Sequence, residues 1–357
     1  MSWMNTKNLY AWIFNTGRGL AVCLRFPDNR GILYDLGSSD DFSPTDFVRT
    51  KIAPYFSYYS GNKIAQCILS HPHADHISEV DEITKHEGIH RSLVPQLITC
   101  PNEKGEGEAL DFARIENKDN ADLMARYRKS YAKRNPPLQT IVPGADEAPI
   151  QEFEYGLYYM RPPAVSQIHA SNDHHYGNGV SIVMYVRYGG MSLLLPGDVT
   201  PEVLSDILLD RKTIEKRYSR FYMGGTGNTS DWHTARSGQP GLGALLGERG
   251  LSVLVAPHHG LESCYSADLF NAMRGGKPIL NVISDKRKVS ETDGNVHPRY
   301  HREDGAFGLS VDIEGAPEQR YGVSTKNGQH ILVVLRAGAS QPAVYLRADP
   351  ADLLKIA

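Results

Sequence analysis

Short apolar runs bounded by turn residues recur along the chain, and each predicts a buried β-strand. The first two cover residues 20–26 and 31–36, and the turn sequence Pro27-Asp28-Asn29-Arg30 separates them. Later runs predict strands at residues 64–69, 180–186, 192–195, 252–256, 279–284, 331–335 and 343–346. The pair on either side of Gly189-Gly190 and the last pair are spaced as hairpins.

Helical patterns fill several of the stretches between these strands. We expect helices at residues 77–85, 121–133, 201–209 and 266–273, and Pro201 fits the first turn of the third of them. Residues 86–150 carry many charges and little periodicity, so we interpret them as a helical, basic insertion. Residues 212–241 predict a long polar loop. The alternation of strands and helices predicts a layered α/β fold, built as a single domain over residues 1–357.

Composition excludes several classes of protein. Lys+Arg is 38 and Asp+Glu is 41, so the net charge of -3 excludes a protein that holds polyanions by bulk charge. A hydrophobic fraction of 41% excludes a disordered chain. No apolar run approaches the roughly 20 residues that span a bilayer, and no signal peptide is apparent, so we expect a cytoplasmic protein without a membrane partner. The four cysteines form no CxxC pair and are expected to be reduced thiols.

The clustering of histidines is the feature of the sequence that indicates a functional site. Of the 14 histidines, three lie in the segment Ser70-His71-Pro72-His73-Ala74-Asp75-His76, directly after a predicted strand. In extended chain His71 and His73 point to the same side, and Asp75 and His76 follow at the turn into the next helix. Three imidazoles and one carboxylate suit a borderline metal such as Zn²⁺. The segment therefore predicts a metal site.

This HxHxDH pattern resembles the signature of the metallo-β-lactamase superfamily. The resemblance implies a four-layer αβ/βα sandwich and a centre for two divalent ions, with Zn²⁺ expected first and Mn²⁺ as an alternative. It also implies that His71 and His73 bind one ion, while Asp75 and His76 bind the other.

The same resemblance implies further ligands after later strands. Asp198, which follows Leu195-Pro196-Gly197, matches the aspartate that bridges the two ions. In Pro257-His258-His259-Gly260 we favour His259 as the last ligand, with His258 facing the substrate; the reverse assignment stays open.

The third histidine of the first ion has no clear match. Its window is Ser171-Asn172-Asp173-His174-His175-Tyr176-Gly177-Asn178, with His169 a little earlier. We take His175 as the ligand and Asn178 as a residue that supports a ligand, but His169, His174 and Asn178 stay open for that position. A centre with a single ion is the alternative.

Within the superfamily, the chain resembles the hydrolase domain of the DNA-uptake protein ComEC and its soluble relatives. The matching features are the Asn15–Ala21 turn, Asp35-Leu36-Gly37, the PHHG segment, His297-Pro298 and residues 323–328. Asp35 is expected to support the histidine loop through hydrogen bonds, as carboxylates behind metal ligands do.

These residues predict a metal-dependent hydrolase, with a phosphodiesterase or nuclease as the leading hypothesis. The ions would supply hydroxide, and we place Asp75, His258 and His297 in catalytic roles. Basic runs interleaved with tyrosines predict a nucleic-acid or other phosphodiester substrate. The substrate-binding candidates in these runs are Arg126, Lys129, Lys133, Lys216 and Arg220.

Two other functions remain open. One is a hydrolase of a small molecule, such as a cyclic nucleotide, phosphoester, lactone or β-lactam. The other is a metal-stabilised binding or regulatory subunit with little turnover, for which a protein partner or a homo-oligomer would be expected.

Overall fold

The computed structural model describes residues 7–17, 19–57, 63–83, 93–95, 98–101, 139–141, 153–160, 165, 169, 173–209, 241–285 and 295–356. Within these ranges the strands are β1 Asn8–Ile13, β2 Ala21–Arg25, β3 Gly31–Leu36, β4 Ile64–Ile68, β5 Ile98–Thr99, β6 Gln139–Ile141, β7 Phe153–Tyr158, β8 Val183–Tyr188, β9 Met191–Leu195, β10 Val253–Val255, β11 Leu280–Ile283, β12 Leu309–Ile313, β13 Ala316–Arg320, β14 Gly322–Ser324, β15 His330–Arg336 and β16 Ala343–Arg347. The α-helices are α1 Pro44–Phe47, α2 Ala74–Ile77, α3 Val80–Ile83, α4 Asp173–Gly179, α5 Pro201–Leu208, α6 Leu242–Arg249, α7 Ala267–Ala272 and α8 Pro350–Ile356.

The strands form two mixed sheets. In the first, the order is β13-β12-β16-β15-β1-β2-β3-β4-β5, and in the second it is β14-β11-β10-β9-β8-β7-β6. Parallel pairing is confined to β3-β4-β5 and β12-β16 in the first sheet, and to β9-β10-β11-β14 in the second.

The core lies between the two sheets because every second side chain of a strand points into the space between them. On β1, Leu9, Ala11 and Ile13 face the second sheet, and on β10 Val253 and Val255 face the first. All of these side chains are at most 1% exposed. Burying an aliphatic side chain to this degree contributes about 1.5–3 kcal/mol, so the face between the sheets is the main source of cohesion.

The opposite faces of the sheets are covered by helices. Tyr10 and Trp12 of β1 pack with α1, α2, α3 and α8, whereas Leu254 of β10 packs with α4, α5, α6 and α7. The result is the sequence of layers helix, sheet, sheet, helix. It confirms the predicted four-layer α/β sandwich. Among the residues described above, no helix is long and apolar enough to cross a bilayer.

The parallel strands bring the chemistry-bearing loops to one edge of the sandwich. The carboxyl ends of β4, β9, β10 and β11 lead into the loops that begin at Leu69, Pro196, Ala256 and Ser284. Because parallel neighbours end at the same edge of their sheet, the loops after β9, β10 and β11 come together there. The loop after β4 reaches them from the first sheet, since Ser70 packs against Gly197.

The region between β4 and β7 differs in part from the elements predicted from the sequence. The single helix expected at residues 77–85 is instead two short helices, α2 and α3, and the first begins three residues earlier at Ala74. Within the expected insertion, β5 joins the edge of the first sheet and β6 the edge of the second. The helix expected at residues 121–133 and the loop at 212–241 lie outside the described residues.

Candidate metal centre

The histidine loop turns sharply between β4 and α2. His73 is extended, with φ -77° and ψ 146°, and α2 begins at the next residue, so Asp75 and His76 lie in its first turn. His71 and His76 are fully buried, and His71 Nε2 lies 3.1 Å from His73 Nδ1. The loop thereby presents both members of the HxH pair and the DH pair to one small volume.

Two glycines allow the chain to pack directly against this loop. The Leu20 amide donates to the Asp75 carbonyl at 3.2 Å. A Cβ on Gly19 would lie 1.8 Å from that carbonyl oxygen, and a Cβ on Gly37 would lie 2.0 Å from it. Any larger residue at either position would displace the backbone of Asp75. Both glycines lie in segments that carry the family resemblance, although the sequence alone does not predict this contact.

Asp35 holds the histidine loop from behind. It is fully buried and accepts hydrogen bonds from the Ser70 amide at 2.6 Å, from Ser70 Oγ at 2.7 Å and from His76 Nδ1 at 2.7 Å. Its φ of 57° is in the left-handed region, which few residues other than glycine adopt. The hydrogen bonds that the sequence led us to expect from Asp35 are present, and they orient His76 with Nε2 toward the other sheet.

His71 is oriented through the same carboxylate. Ser70 Oγ donates to Asp35, so it accepts from His71 Nδ1, which lies 2.9 Å away. His71 therefore also carries its proton on Nδ1 and presents the lone pair of Nε2.

Asp198 lies at the centre of the cluster. It follows β9, and Gly197 with φ 60° lets this turn pack against Ser70, whose Cβ would be 2.8 Å from an added Cβ. Its carboxylate is 4% exposed and faces four imidazoles. The Nε2 atoms lie at 3.2 Å for His76, 3.5 Å for His258, 3.6 Å for His259 and 3.9 Å for His71.

Both histidines of the PHHG segment reach this carboxylate because their backbone is left-handed. His258 has φ 48° and His259 has φ 58°, a conformation that costs roughly 1–3 kcal/mol per residue and that occurs mainly at functional sites. The His258 amide donates to the Gly197 carbonyl at 3.0 Å, and His259 Nδ1 lies 2.8 Å from the Ser284 carbonyl. The turn is thus joined to the Asp198 loop and to the end of β11.

The described residues contain two sets of potential ligand atoms, and the atoms of each set lie within 4.8 Å of one another. One set is His71, His76 and Asp198, and the other is Asp75, His76 and His259. His76 belongs to both. His73 lies beside the first set through its contact with His71, and His258 lies beside Asp198, although neither belongs to a set.

The donor chemistry of this cluster fits a cation. A backbone carbonyl and a carboxylate accept from the Nδ1 atoms of His259 and His76, so Nε2 of each ring faces the carboxylates of Asp75 and Asp198 and, when the ring is neutral, presents a lone pair to them. Both Nε2 atoms are buried, and neither finds a hydrogen-bond partner in the described part of the chain. Lone pairs and carboxylates that face each other repel unless a positive charge lies between them.

The close approach of carboxylates and imidazoles also shifts the pKa values of His76, Asp198 and His71. Burial opposes the charged form of His76, but the carboxylates of Asp198 and Asp35 outweigh burial and raise its pKa well above the usual value. Burial likewise raises the pKa of Asp198, yet His76, His258 and His259 outweigh it and hold that pKa well below its usual range. Burial and the neighbouring rings of His76 and His73 lower the pKa of His71.

In the segment that was expected to supply the third histidine ligand of the first ion, Gly177 lies close to the cluster. His175 is exposed on α4 and belongs to neither set of ligand atoms, and the side chain of His174 lies outside the described residues. Gly177 packs on His73, since an added Cβ would be 2.5 Å from His73 Nε2. Asn178 is buried, and its Oδ1 has no hydrogen-bond partner among the described residues.

His169, the other candidate for that position, is engaged elsewhere. Its Nε2 lies 2.7 Å from Asp206 Oδ2, and Asp206 is a buried residue of α5.

His297 lies beside the turn that carries the histidine doublet. Its amide donates to the Gly260 carbonyl at 2.8 Å, and its ring stacks on Tyr265 with centroids 3.9 Å apart. The Arg299 amide donates to His297 Nδ1 at 3.3 Å. The ring therefore carries its proton on Nε2. The five predicted substrate-binding residues, Arg126, Lys129, Lys133, Lys216 and Arg220, lie outside the described residues.

Sequence analysis missed three residues that orient the cluster. Ser70 and Ser284 act through a hydroxyl and a backbone carbonyl, and no pattern in the sequence identifies such groups. Cys264 was interpreted as a structural thiol, but its Sγ lies 2.9 Å from His258 Nδ1. The position of Cys264 six residues after His258 was visible, although only the left-handed turn brings the two together.

Solved structures show only distant likeness. Zn²⁺-bound PqqB from Methylobacterium extorquens is 16% identical and has a TM-score of 0.28, with 66% of this chain and 75% of that chain covered. The CmlA β-hydroxylase E377D mutant is 11% identical and has a TM-score of 0.29, with 76% of this chain covered. This chain spans only 39% of the CmlA chain, and likenesses this distant carry no information on substrate. No curated protein sequence matches the chain.

A family model is more informative. The model of the metallo-beta-lactamase superfamily matches residues 17–235, which is more than half of the chain. The matched range contains the histidine loop and Asp198. With this match and the four-layer fold, the chain belongs to the metallo-beta-lactamase superfamily.

Proposed function

We propose that this protein is a metal-dependent hydrolase that cleaves phosphodiesters, with nucleic acid as the leading substrate. Two divalent ions, Zn²⁺ or Mn²⁺, are the implied cofactors. The observation that carries the proposal is the convergence of the Nε2 atoms of His76 and His259 on the carboxylates of Asp75 and Asp198, with no hydrogen-bond partner for either nitrogen in the described part of the chain.

We take the ligand assignment from the family resemblance together with the two sets of ligand atoms. His71, His73 and Asp198 are proposed for the first ion, and Asp75, His76, His259 and Asp198 for the second. Asp198 belongs to the first set, and its Oδ2 also lies 3.6 Å from His259 Nε2 of the second, so its carboxylate could offset the repulsion of two cations. When bound, such ions lower the pKa of bound water toward neutrality and polarise a phosphoryl oxygen.

The protein's own contribution to catalysis is to position donors toward the developing charge. His297 carries its proton on Nε2, and burial lowers the pKa of its ring, so it is a neutral donor at physiological pH. His258 extends over Asp198 from the neighbouring turn. Hydrogen bonds from such fixed donors to the nonbridging or leaving oxygens stabilise a phosphoryl transition state.

The choice of a phosphodiester depends on the ComEC-like motifs and on the basic, tyrosine-containing runs at residues 126–134 and 211–220. The described residues near His297 carry charges of both signs: Glu262, Arg299 and Asp304 act on His297, and Asp285, Arg302 and Lys326 act on His301.

The test is a substrate panel on purified protein loaded with Zn²⁺ or Mn²⁺. Single- and double-stranded DNA, RNA, bis(p-nitrophenyl) phosphate and nitrocefin are compared for the wild type, for Asp75→Ala/His76→Ala, and for the control Asp352→Ala on the exposed face of α8. Cleavage of nucleic acid that the double variant loses and the control keeps is the expected result.

Two other outcomes would contradict the proposal. Turnover of nitrocefin alone would identify a small-molecule hydrolase. Stoichiometric metal without turnover of any substrate would indicate a metal-stabilised binding or regulatory subunit.

A further inference from the structure

Asp75 and His259, two of the proposed ligands of the second ion, come from different sheets. Asp75 follows β4 of the first sheet, and His259 follows β10 of the second. Their side chains nevertheless approach each other, with His259 Nε2 3.6 Å from Asp75 Oδ2. A ligand pair that is divided between two sheets keeps its spacing only if the sheets are fixed relative to each other beside it.

Ser284 holds the His259 side of this pair. It is a buried residue directly after β11, and its carbonyl accepts a hydrogen bond from His259 Nδ1 at 2.8 Å. Thr325, after β14, fixes the backbone on both sides of Ser284. The Thr325 amide donates to the Ile283 carbonyl at 3.1 Å, and Thr325 Oγ1 accepts from the Asp285 amide at 3.0 Å. The carbonyl that orients His259 is therefore fixed to the second sheet.

The hydroxyl of the same serine reaches the first sheet. Ser284 Oγ donates to the Gly19 carbonyl at 2.5 Å, and Gly19 lies in the connection between β1 and β2. The N–H of that peptide group, which belongs to Leu20, donates to the Asp75 carbonyl at 3.2 Å. Because a trans peptide group is planar, its C=O and N–H point in opposite directions. The peptide group between Gly19 and Leu20 is thus a rigid link from Ser284 to Asp75.

The part of the centre around His71 is joined across the sheets by other bonds. The Ile182 amide, just before β8, donates to the Ser70 carbonyl at 2.9 Å. The Tyr34 hydroxyl of β3 donates to the Ile182 carbonyl at 2.6 Å. Neither bond involves Ser284, so loss of the Ser284 hydroxyl should affect the second ion and not the first.

We propose that Ser284 is a positioning residue that sets the separation of Asp75 and His259, and thereby the fit of the second ion. Its carbonyl orients His259, and its hydroxyl holds Asp75 through one peptide group. This role rests on the proposed function, because it requires that both residues bind an ion.

The variant Ser284→Ala removes the hydroxyl and keeps the carbonyl, so it breaks the link to Asp75 and leaves the contact with His259. The Gly19 carbonyl keeps a second donor, Thr16 Oγ1 at 3.0 Å, and so is not left without a hydrogen bond. Zinc titration against a chelating dye should show the affinity for one of two ions reduced about tenfold, the lower end of the effect of groups behind metal ligands. The other ion should bind as in the wild type.

Two comparisons separate this role from a general loss of stability. Ser192→Ala removes another buried hydroxyl of the second sheet, whose acceptor is the Gly250 carbonyl near the start of β9, and should leave both affinities unchanged. Asp75→Ala lacks the ligand that the Ser284 hydroxyl positions. Adding Ser284→Ala to Asp75→Ala should therefore cause no further loss of zinc affinity.

A second arm needs no metal. In metal-free protein, amide hydrogen exchange at Leu20, measured relative to the amides of β1, should be about fivefold faster in Ser284→Ala, because the peptide group loses one of its hydrogen bonds. Ser192→Ala should leave this ratio unchanged.

Unchanged affinity for both ions in Ser284→Ala, or an equal loss in the wild-type and Asp75→Ala backgrounds, overturns the proposal. A Leu20 exchange ratio equal to that of the wild type does the same. A wild type that binds two zinc ions but hydrolyses no substrate contradicts the hydrolase function alone, and the titration then still decides the role of Ser284. A wild type that binds no zinc overturns both.

Discussion

Gly19 offers the most discriminating perturbation of the centre because it tests position without changing a ligand. Its φ is +95°, and a Cβ added there would lie 1.8 Å from the Asp75 carbonyl oxygen, 2.7 Å from the carbonyl carbon and 2.9 Å from the Asp75 Cβ. All three atoms belong to Asp75, whose backbone carbonyl accepts a hydrogen bond from the Leu20 amide. In Gly19→Ala the Asp75 segment therefore has to move by roughly 1.5 Å to restore ordinary contact distances.

The expected effect on metal binding is large. Displacement of a functional group by about 1 Å can cost on the order of 10²-fold. Asp75 and His76 lie together in the first turn of α2, so both would be displaced. We expect zinc affinity, measured by competition with a chelating dye, to fall by about two orders of magnitude.

Gly17→Ala is the matched control. Gly17 also has a positive φ, +71°, but the nearest atom to an added Cβ is Ser39 Cβ at 3.5 Å, an ordinary contact. Both variants incur the left-handed penalty of about 1–2 kcal/mol in the free energy of unfolding, and only Gly19→Ala also displaces Asp75. If Gly19→Ala binds zinc as tightly as Gly17→Ala, the argument that this close packing positions the ligands is wrong.

Three further predictions concern the groups behind the ligands. In Asp35→Asn only one oxygen remains to accept the hydrogen bonds that both carboxylate oxygens accept from Ser70 and His76, so zinc affinity should fall about 10- to 100-fold with the fold intact by circular dichroism. In Gly177→Ala the new methyl would lie 2.5 Å from His73 Nε2, so zinc titration should show weaker binding at one site; unchanged isotherms would exclude this contact as a determinant. Asp198 and Asp35 raise the pKa of His76, so its stabilising charge in metal-free protein is fully present below the unfolded pKa of about 6.5 and is lost as pH rises through the folded pKa. The melting temperature of metal-free protein should therefore decline over that rise, and zinc binding should release a proton, which calorimetry in buffers of different ionisation enthalpy detects.

The fold could be predicted from the sequence where apolar runs are short and bounded by turns. Gly31–Leu36 is a strand over the predicted residues, and Pro201–Leu208 is a helix that begins at the predicted proline. In contrast, β13 is exposed along its whole length, so it has no apolar pattern to reveal it. The helix expected at residues 77–85 divides into two because the Glu79 amide donates to the Leu36 carbonyl of β3 instead of continuing the helix.

The candidate site was predictable to the extent that its residues are close in the sequence. Residues 71–76 form one local motif, and the position of Asp198 directly after a predicted strand indicates that it lies at an edge of the fold. The partners behind the rings of His258 and His259 were not predictable, because one is a thiol six residues later and the other is a carbonyl at the end of another strand. Nor could sequence spacing identify the contact of Gly177 with His73, since it joins two elements about 100 residues apart.

The central claim is that the cluster around Asp198 binds divalent metal. The most direct measurement is the number of zinc ions that each chain retains after dialysis, determined by elemental analysis for the wild type and for Asp75→Ala/His76→Ala. We expect two ions per chain in the wild type and a loss of at least one in the double variant. A wild-type protein that retains no zinc, or a double variant that retains as much as the wild type, would contradict it.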